Sequence, residues 1–230
     1  YKGDVTAEQL TQAAKANAEA TTVADSSSDK NVLIAEKAEL QELYDALLEA
    51  SQSITVRLNS VRDEADKQLL SGIEIGQTIA TFSAPHATII PAGVTAYYAQ
   101  QAALGETVSL TPVEAGKALP ANQGVILIGN EGFTEVKFIL AENAEESVEE
   151  ADLSANKLSN SAKGSVVMES NDYILTSGDQ GIGLYQATPD SQLAQRKAFF
   201  RFTAGTNPAN LVLKFGGATT GIDNVTKEVQ

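Results

Sequence analysis

The apolar residues of this chain change their spacing near Gly72. Before this residue they recur every three or four positions, as on one face of a helix, and after it they alternate in twos until about Phe215. The change predicts a chain that is α+β by content. We expect a helical hairpin or small bundle in residues 1–72, an all-β, jelly-roll-like sandwich in residues 77–222, and a linker tail in residues 223–230.

Two helices are predicted in the first segment. Residues 6–23 are rich in alanine, the strongest helix former, and Asp4 or Thr6 can cap their N-terminus. Residues 30–70 carry apolar residues at three-and-four spacing, and the small polar residues at 51–53 weaken this stripe and allow a break there. Amphipathic helices of this kind are expected to cover a core rather than to bind a partner.

The second segment contains the signals of about ten short strands separated by turns. The continuous apolar run at 125–128 predicts a central strand that is buried on both faces. Gly181 and Gly183 are expected to permit close packing within a strand. The acidic stretch at 142–163 predicts a solvated loop with at most one short helical turn.

Charge and composition exclude several classes of function. The net charge is −14, and so acidic a surface repels phosphate groups, which argues against nucleic acid and anionic membranes as partners. The chain contains no cysteine, which removes disulfides, zinc–thiolate sites and thiol catalysis. No run of about 18 apolar residues is present, so no membrane-spanning segment is predicted.

His86 is the only histidine, so any Ser–His–Asp triad must use it. It follows Pro85 in a turn-like stretch, and the chain has no G-x-S-x-G motif that would place a nucleophile on a sharp turn. A metal site built from several histidines is impossible. We therefore predict a structural or surface role for His86 and no catalytic residue in this chain.

Pairs of carboxylates are the remaining route to catalysis, because two acids suffice for glycoside hydrolysis. The chain has 30 acidic residues, so pairs arise by chance, and none lies in a recognisable motif. Asp172, Asp179 and Asp190 flank predicted strands or turns, where an aspartate bonds its own backbone. Turn chemistry accounts for each of them.

Calcium is a further possibility for the acidic residues. Oxygen ligands could come from Asp25 with Asp29, from the acids at 142–152, or from Asp172 with Asn171. None of these groups has the spacing of a calcium-binding loop, and solvated charge is the preferred interpretation. The sequence predicts neither a metal site nor a cofactor.

Two pairs of adjacent aromatic residues lie on predicted strands. Neighbouring residues of a strand point to opposite faces, so one member of Tyr97 and Tyr98 should lie in the core and the other in solvent. The same holds for Phe199 and Phe200. The exposed tyrosine would be a possible ligand contact, which makes Tyr97 and Tyr98 the candidate binding residues.

Residues 77–222 also contain short segments in a characteristic order. These are ATFSAPHATIIPAGVTAY at 80–97, LPANQGVIL at 119–127, YIL at 173–175, GIGLY at 181–185, KAFF at 197–200 and TGI at 220–222. Their order resembles a β domain of secreted or surface proteins of the Bacteroides type, over roughly two thirds of the chain. The resemblance implies export, surface display and a longer modular chain, but no ligand and no catalytic residue. His86 departs from it, because an apolar residue is usual there.

Three functions follow from these observations. The first is a non-catalytic accessory or binding module, secreted or on the cell surface, that contacts a protein or a glycan. The second is a carbohydrate-binding module attached to glycan-use machinery, with an exposed tyrosine and loop acids as contacts. The third is a glycoside hydrolase, which requires a deep cleft with two acids about 5–9.5 Å apart.

Overall fold

The computed structural model of the chain describes residues 3–26, 29–100, 103, 105–203 and 207–216, without the side chain of residue 25. The predicted linker tail and the last segment of the resemblance lie outside these residues, as does the carboxylate of Asp25. The described residues form the helices α1 (Ala7–Ser26) and α2 (Lys30–Gln52), followed by strands. The strands are β1 (Ser53–Arg57), β2 (Asn59–Ser60), β3 (Leu70–Ser71), β4 (Thr78–Phe82), β5 (Thr88–Ile89), β6 (Val94–Tyr98), β7 (Thr107–Pro112), β8 (Ala118–Leu119), β9 (Val125–Gly129), β10 (Glu135–Leu140), β11 (Leu158–Asn160), β12 (Val166–Val167), β13 (Asp172–Gly178), β14 (Gly181–Gln186), β15 (Gln192–Leu193), β16 (Ala198–Arg201) and β17 (Asn210–Phe215).

The two helices form an antiparallel hairpin with capped N-termini. The Thr6 hydroxyl oxygen accepts a hydrogen bond from the Gln9 N–H at 3.1 Å, and the Gln9 side-chain oxygen accepts one from the Thr6 N–H at 2.9 Å. This capping box confirms the prediction that Thr6 caps the helix. Asp29 caps α2 by accepting a hydrogen bond from the Asn31 N–H at 2.9 Å. Half-buried side chains recur at three-and-four spacing on each helix, at Gln9, Ala13, Ala16, Ala20 and Val23 of α1 and at Glu36, Leu40, Leu43, Leu47 and Ala50 of α2.

The second helix ends at Gln52, so the prediction that helix continues to residue 70 is wrong. Its end falls within the weak stretch at 51–53, and Ser53 has an extended backbone with φ −139° and ψ 161°. The run Ile54-Thr55-Val56 is β-branched and favours a strand. Ile54 and Leu58 satisfy helical spacing and strand alternation equally, so spacing alone could not separate the two.

The strands build three sheets within the described part of the chain. The large one has the order β11-β16-β13-β14-β17-β7-β6-β9-β4-β2, with β3 also paired to β17. A smaller sheet has the order β1-β10-β5-β8, and β12 with β15 forms a two-stranded ribbon. Strand β17 is antiparallel to β14 and parallel to β7 and β3, so it joins the two halves of the large sheet. The expected order, a helical part and then a β-sandwich, is confirmed.

Three strands of the large sheet lie between two hydrophobic cores. On β9, Ile126 and Ile128 point into a first core that the curled large sheet encloses, while Val125 and Leu127 point into a second core. The four-stranded sheet covers the second core with inward side chains such as Phe138. The prediction of a central strand buried on both faces at 125–128 is therefore confirmed.

The glycines of β14 allow a neighbouring loop to approach the strand closely. Gly181 has φ +82°, and a methyl group on it would lie 2.0 Å from the Ala65 carbonyl oxygen. A methyl on Gly183 would lie 2.6 Å from Leu69 Cδ1, so the close-packing prediction is confirmed. The same loop is held by Asp66, whose carboxylate accepts a hydrogen bond from Arg62 Nε at 2.8 Å. Hydrogen bonding to Arg62 lowers the pKa of Asp66.

Candidate functional site

The two tyrosines predicted as possible ligand contacts are both buried. Tyr97 is 4% exposed and packs in the first core, with its ring edge against Phe215 at a centroid distance of 5.0 Å. Tyr98 is 9% exposed and lies in the second core, and its hydroxyl accepts a hydrogen bond from Gln100 at 2.7 Å. The two rings do point to opposite faces of β6. The expectation that one of them is exposed is wrong, because the four-stranded sheet covers the second face.

The phenylalanine pair behaves in the same way. Phe200 lies in the first core, and Phe199 lies in a small third cluster with Met168 beside the β12–β15 ribbon. The guanidinium of Arg201 stands 5.8 Å from the centre of the Phe199 ring. Neither pair therefore offers an aromatic platform for a ligand.

The histidine and the aspartates considered in the sequence lie in turns or in a buried ion pair. His86 is half-buried in the turn between β4 and β5, and Asp179 and Asp190 lie in turns as predicted. Asp172 is fully buried, and its carboxylate accepts two hydrogen bonds from Arg201 at 2.7 and 3.0 Å. Within the described residues, no three histidine, aspartate or glutamate side chains are grouped so that they could hold a metal ion.

The exposed large apolar side chains concentrate on α2, which has no buried residue. At about 100° per residue, four of them fall within an arc of about 100° on one side of the helix. We call these four residues the hairpin face: Leu33, Ile34, Tyr44 and Leu48. Tyr44 is 60% exposed. The expectation that the amphipathic helices cover a core therefore does not hold for α2.

A network around Asp4 attaches the hairpin to the β-structure. The Asp4 N–H donates to the carbonyl oxygens of Ala50 at 2.6 Å and Ser53 at 3.1 Å, where α2 passes into β1. Its carboxylate accepts a hydrogen bond from the Thr55 N–H at 2.6 Å, on the edge of β1 that faces away from β10. Asp4 thus joins the start of α1, the end of α2 and the first strand.

Arg196 completes this network from the opposite side. Its guanidinium forms an ion pair with Asp4 and donates to the Gly3 carbonyl oxygen at 2.7 Å. A methyl group on Gly3 would lie 2.1 Å from the Ala50 carbonyl oxygen, so only glycine fits this close approach. We call Gly3, Asp4 and Arg196 the Asp4 joint. It positions the hairpin relative to the two cores.

An open groove lies on the outer face of the four-stranded sheet, at the base of the hairpin. Its volume is about 590 Å³, and its floor is made by Ile89 and Ile139, which are directly paired across β5 and β10. Val148 and Ala144, from the loop after β10, close the apolar wall. We call this cavity the base groove. Ile139 is 46% exposed, which is unusual for an isoleucine on a solvent-facing strand position.

Charged residues surround the base groove. Glu49 at the end of α2 pairs with Lys137 of β10 at 2.5 Å. This contact raises the pKa of Lys137 and lowers the pKa of Glu49. Glu145 and Glu146 line the opposite side of the cavity and are exposed. The groove therefore combines an apolar floor with negatively charged sides.

A second cavity continues from the base groove. It has a volume of about 440 Å³ and lies between residues 89–96 and 113–117. Ile89 and Val148 line both cavities, so the two are adjacent, and we refer to them together as the depression. All of their lining residues lie within the described part of the chain, and none of these is aromatic. The depression can accommodate aliphatic groups but offers no ring on which a sugar could stack.

Comparison with known proteins gives no relative for this chain. No protein-family model matches it, no curated protein matches it, and no solved structure matches it. The resemblance to a Bacteroides-type β domain therefore stays a prediction. In the described part of the chain, no helix is long and apolar enough to span a membrane. The fold defines a helical hairpin joined to a β-sandwich with an apolar groove at the junction.

Proposed function

We propose that this protein is a non-catalytic binding module, secreted or displayed on the cell surface, whose ligand is another protein. The observation that carries the proposal is the hairpin face. Exposed apolar side chains grouped on one side of a helix are typical of interaction sites, and here they occupy one side of a helix that covers no core. An amphipathic helix with this exposure is a common element of protein recognition.

A fixed hairpin makes a better recognition element than a mobile one. The Asp4 joint uses one carboxylate and one guanidinium to connect both helices to β1 and to the loop before β16. Ordering of a binding element before the encounter reduces the entropy that is lost on binding. The hairpin face and the base groove then act as parts of one surface.

A protein ligand is favoured over a glycan by the kind of side chain that is exposed. Neither Tyr97 nor Tyr98 reaches the surface, and the depression is lined by aliphatic and charged residues without an aromatic ring. Tyr44 is exposed, but Leu48 lies one helical turn from it, and the other residues of the hairpin face are Leu33 and Ile34, which suit apolar side chains of a protein. Secretion or surface display rests on the sequence resemblance, and the acidic surface suits a protein that stays in solution.

The proposal predicts one specific contact on the hairpin face. In the test, a photo-crosslinking phenylalanine analogue replaces Tyr44 in the protein, and crosslinking is carried out in the cells that produce it. A second version of the protein with the same analogue in place of Val167 is the control. Val167 is 54% exposed and lies in the β12–β15 ribbon. We expect one protein to crosslink reproducibly to position 44 and not to position 167. This crosslink should disappear when the Leu48→Glu substitution is made in the same protein.

Two results would contradict the proposal. The first is crosslinking at position 44 that does not exceed the control at position 167. The second is saturable binding to one polysaccharide class on a glycan array that Leu48→Glu leaves unchanged, since this would favour the carbohydrate-binding module. Circular dichroism of the Leu48→Glu variant checks that the hairpin is still folded, which is expected because Leu48 is exposed.

A further inference from the structure

We propose that the base groove and its continuation bind an extended peptide segment of the partner, in which apolar side chains alternate with lysine or arginine. This inference rests on the proposed function, because it assigns a chemistry to the partner of the same surface. Four features of the groove support it: its floor, its length, its charge and the state of the neighbouring sheet edge.

The floor of the groove breaks the polar pattern of the outer sheet face. On β10, the side chains that point outward are Glu135, Lys137 and Ile139, and those that point inward are buried. Ile139 is paired with Ile89 of β5, so two branched apolar side chains lie together on a face that is otherwise polar or charged. Neither packs in one of the hydrophobic cores. They are available to an apolar group from outside.

The length of the depression favours a segment of chain over a single side chain. The base groove and the second cavity meet at Ile89 and Val148 and together run from the end of α2 to the loop at 113–117. An extended peptide places every second side chain on the same side, at about 6–7 Å intervals. Alternate apolar residues could therefore lie along the floor while the intervening residues reach the rim.

The charge of the rim selects the intervening residues. Both lysines that line the depression are already paired, Lys137 with Glu49 at 2.5 Å and Lys117 with Glu149 at 2.5 Å. Three further carboxylates line it: Glu114, Glu145 and Glu146. The rim is thus net negative. It attracts lysine and arginine and repels phosphate, acidic sugars and acidic peptides.

At the β8 edge of this sheet, side chains rather than added strand pairing must provide the recognition. Strand β8 is an edge of the four-stranded sheet, but the chain itself covers that edge. The Ala118 N–H donates to the Glu149 carbonyl oxygen, and the Ala151 N–H donates to the Ala118 carbonyl oxygen, both at 2.9 Å. These backbone groups are therefore already used, and a bound peptide would lie across the sheet face.

The test uses a fluorescent synthetic peptide of about twelve residues in which leucine alternates with lysine, long enough to span the depression. A serine–lysine peptide keeps its charge without the apolar groups, and a leucine–glutamate peptide reverses the charge. Binding is measured by fluorescence anisotropy with the full chain. We expect saturable binding of the leucine–lysine peptide only, with NMR shift changes at the methyl groups of Ile89, Ile139 and Val148.

Matched variants separate the groove from the rest of the surface. Ile139→Asp should weaken binding at least about tenfold, whereas Val167→Asp, the same change at another exposed site, should not. Glu145→Gln with Glu146→Gln should weaken binding and reduce its salt dependence, while Glu64→Gln with Asp179→Asn serves as the charge control. Equal binding of the serine–lysine peptide, or equal effects of the two aspartate substitutions, would overturn the inference. A specific crosslink at Tyr44 would leave the proposed function standing even then.

Discussion

Replacing Arg201 by alanine is expected to destabilise the protein by about 2–4 kcal/mol, because it leaves a buried carboxylate without its partly exposed cation. Asp172 is 0% exposed and accepts hydrogen bonds from Arg201 Nε at 2.7 Å and Nη2 at 3.0 Å. After the substitution it would keep the Glu169 N–H, at 2.9 Å, as a donor. One backbone N–H cannot replace a guanidinium in compensating a buried charge.

Urea denaturation of the wild-type protein and of Arg201→Ala measures this effect directly. The matched control is the double variant Arg201→Met with Asp172→Leu, which removes both charges and fills the space with apolar atoms. The double variant should be more stable than Arg201→Ala, because no unpaired charge stays in the interior. A loss of less than about 1 kcal/mol in Arg201→Ala would show that Asp172 is solvated or has another partner.

Replacing Phe138 by alanine should cost about 3–5 kcal/mol, the usual range for a fully buried phenylalanine. Its ring is stacked on Phe82 with centroids 4.4 Å apart, in the second core between the large sheet and the four-stranded sheet. The substitution opens a cavity where the two sheets meet. It also removes an aromatic pair that contributes beyond its buried area.

The neighbouring residue provides the control for Phe138→Ala. Ile139 points to the opposite side of β10 and is 46% exposed, so Ile139→Ala should change the free energy of unfolding by only about 0.5 kcal/mol. Both variants are compared by urea denaturation. If the two variants lost similar amounts of unfolding free energy, or if Ile139→Ala lost more, then Ile139 rather than Phe138 would face the second core. The base groove would then have no apolar floor.

Local signals in the sequence predicted local features correctly. Thr6 caps α1, and Gly181 and Gly183 leave room for a neighbouring loop to pack closely on β14. The run at 125–128 is continuous and apolar because β9 lies between two cores. In each case the residues themselves determine the conformation, so neighbours in the sequence were sufficient.

Features that depend on distant contacts were predicted less well. The end of α2 was placed too late because Ile54 and Leu58 fit both periodicities, and pairing of β1 with β10 decides between them. The expectation that either Tyr97 or Tyr98 lies at the surface fails because nothing in the sequence shows that a second sheet covers β6.

The base groove could not be found from the sequence for the same reason. Ile89 and Ile139 are fifty residues apart in the chain and meet only through the register of β5 and β10. The exposure of Leu33 and Tyr44 is likewise not visible in the sequence, because an exposed apolar stripe and a buried one have the same spacing. Their exposure is a property of the fold, in which α1 packs along another side of α2 and the described part of the chain leaves this side open.

The Asp4 joint holds the hairpin in one orientation, so that the hairpin face and the base groove form one surface. The chain has no cysteine, so cysteines introduced at Glu39 and Val167 can be spin-labelled specifically. Pulsed electron resonance should give one narrow distance distribution, and Arg196→Ala, which breaks the pair with Asp4, should broaden it. A broad distribution in the protein with an intact Asp4 joint would show that the hairpin is not held in one orientation.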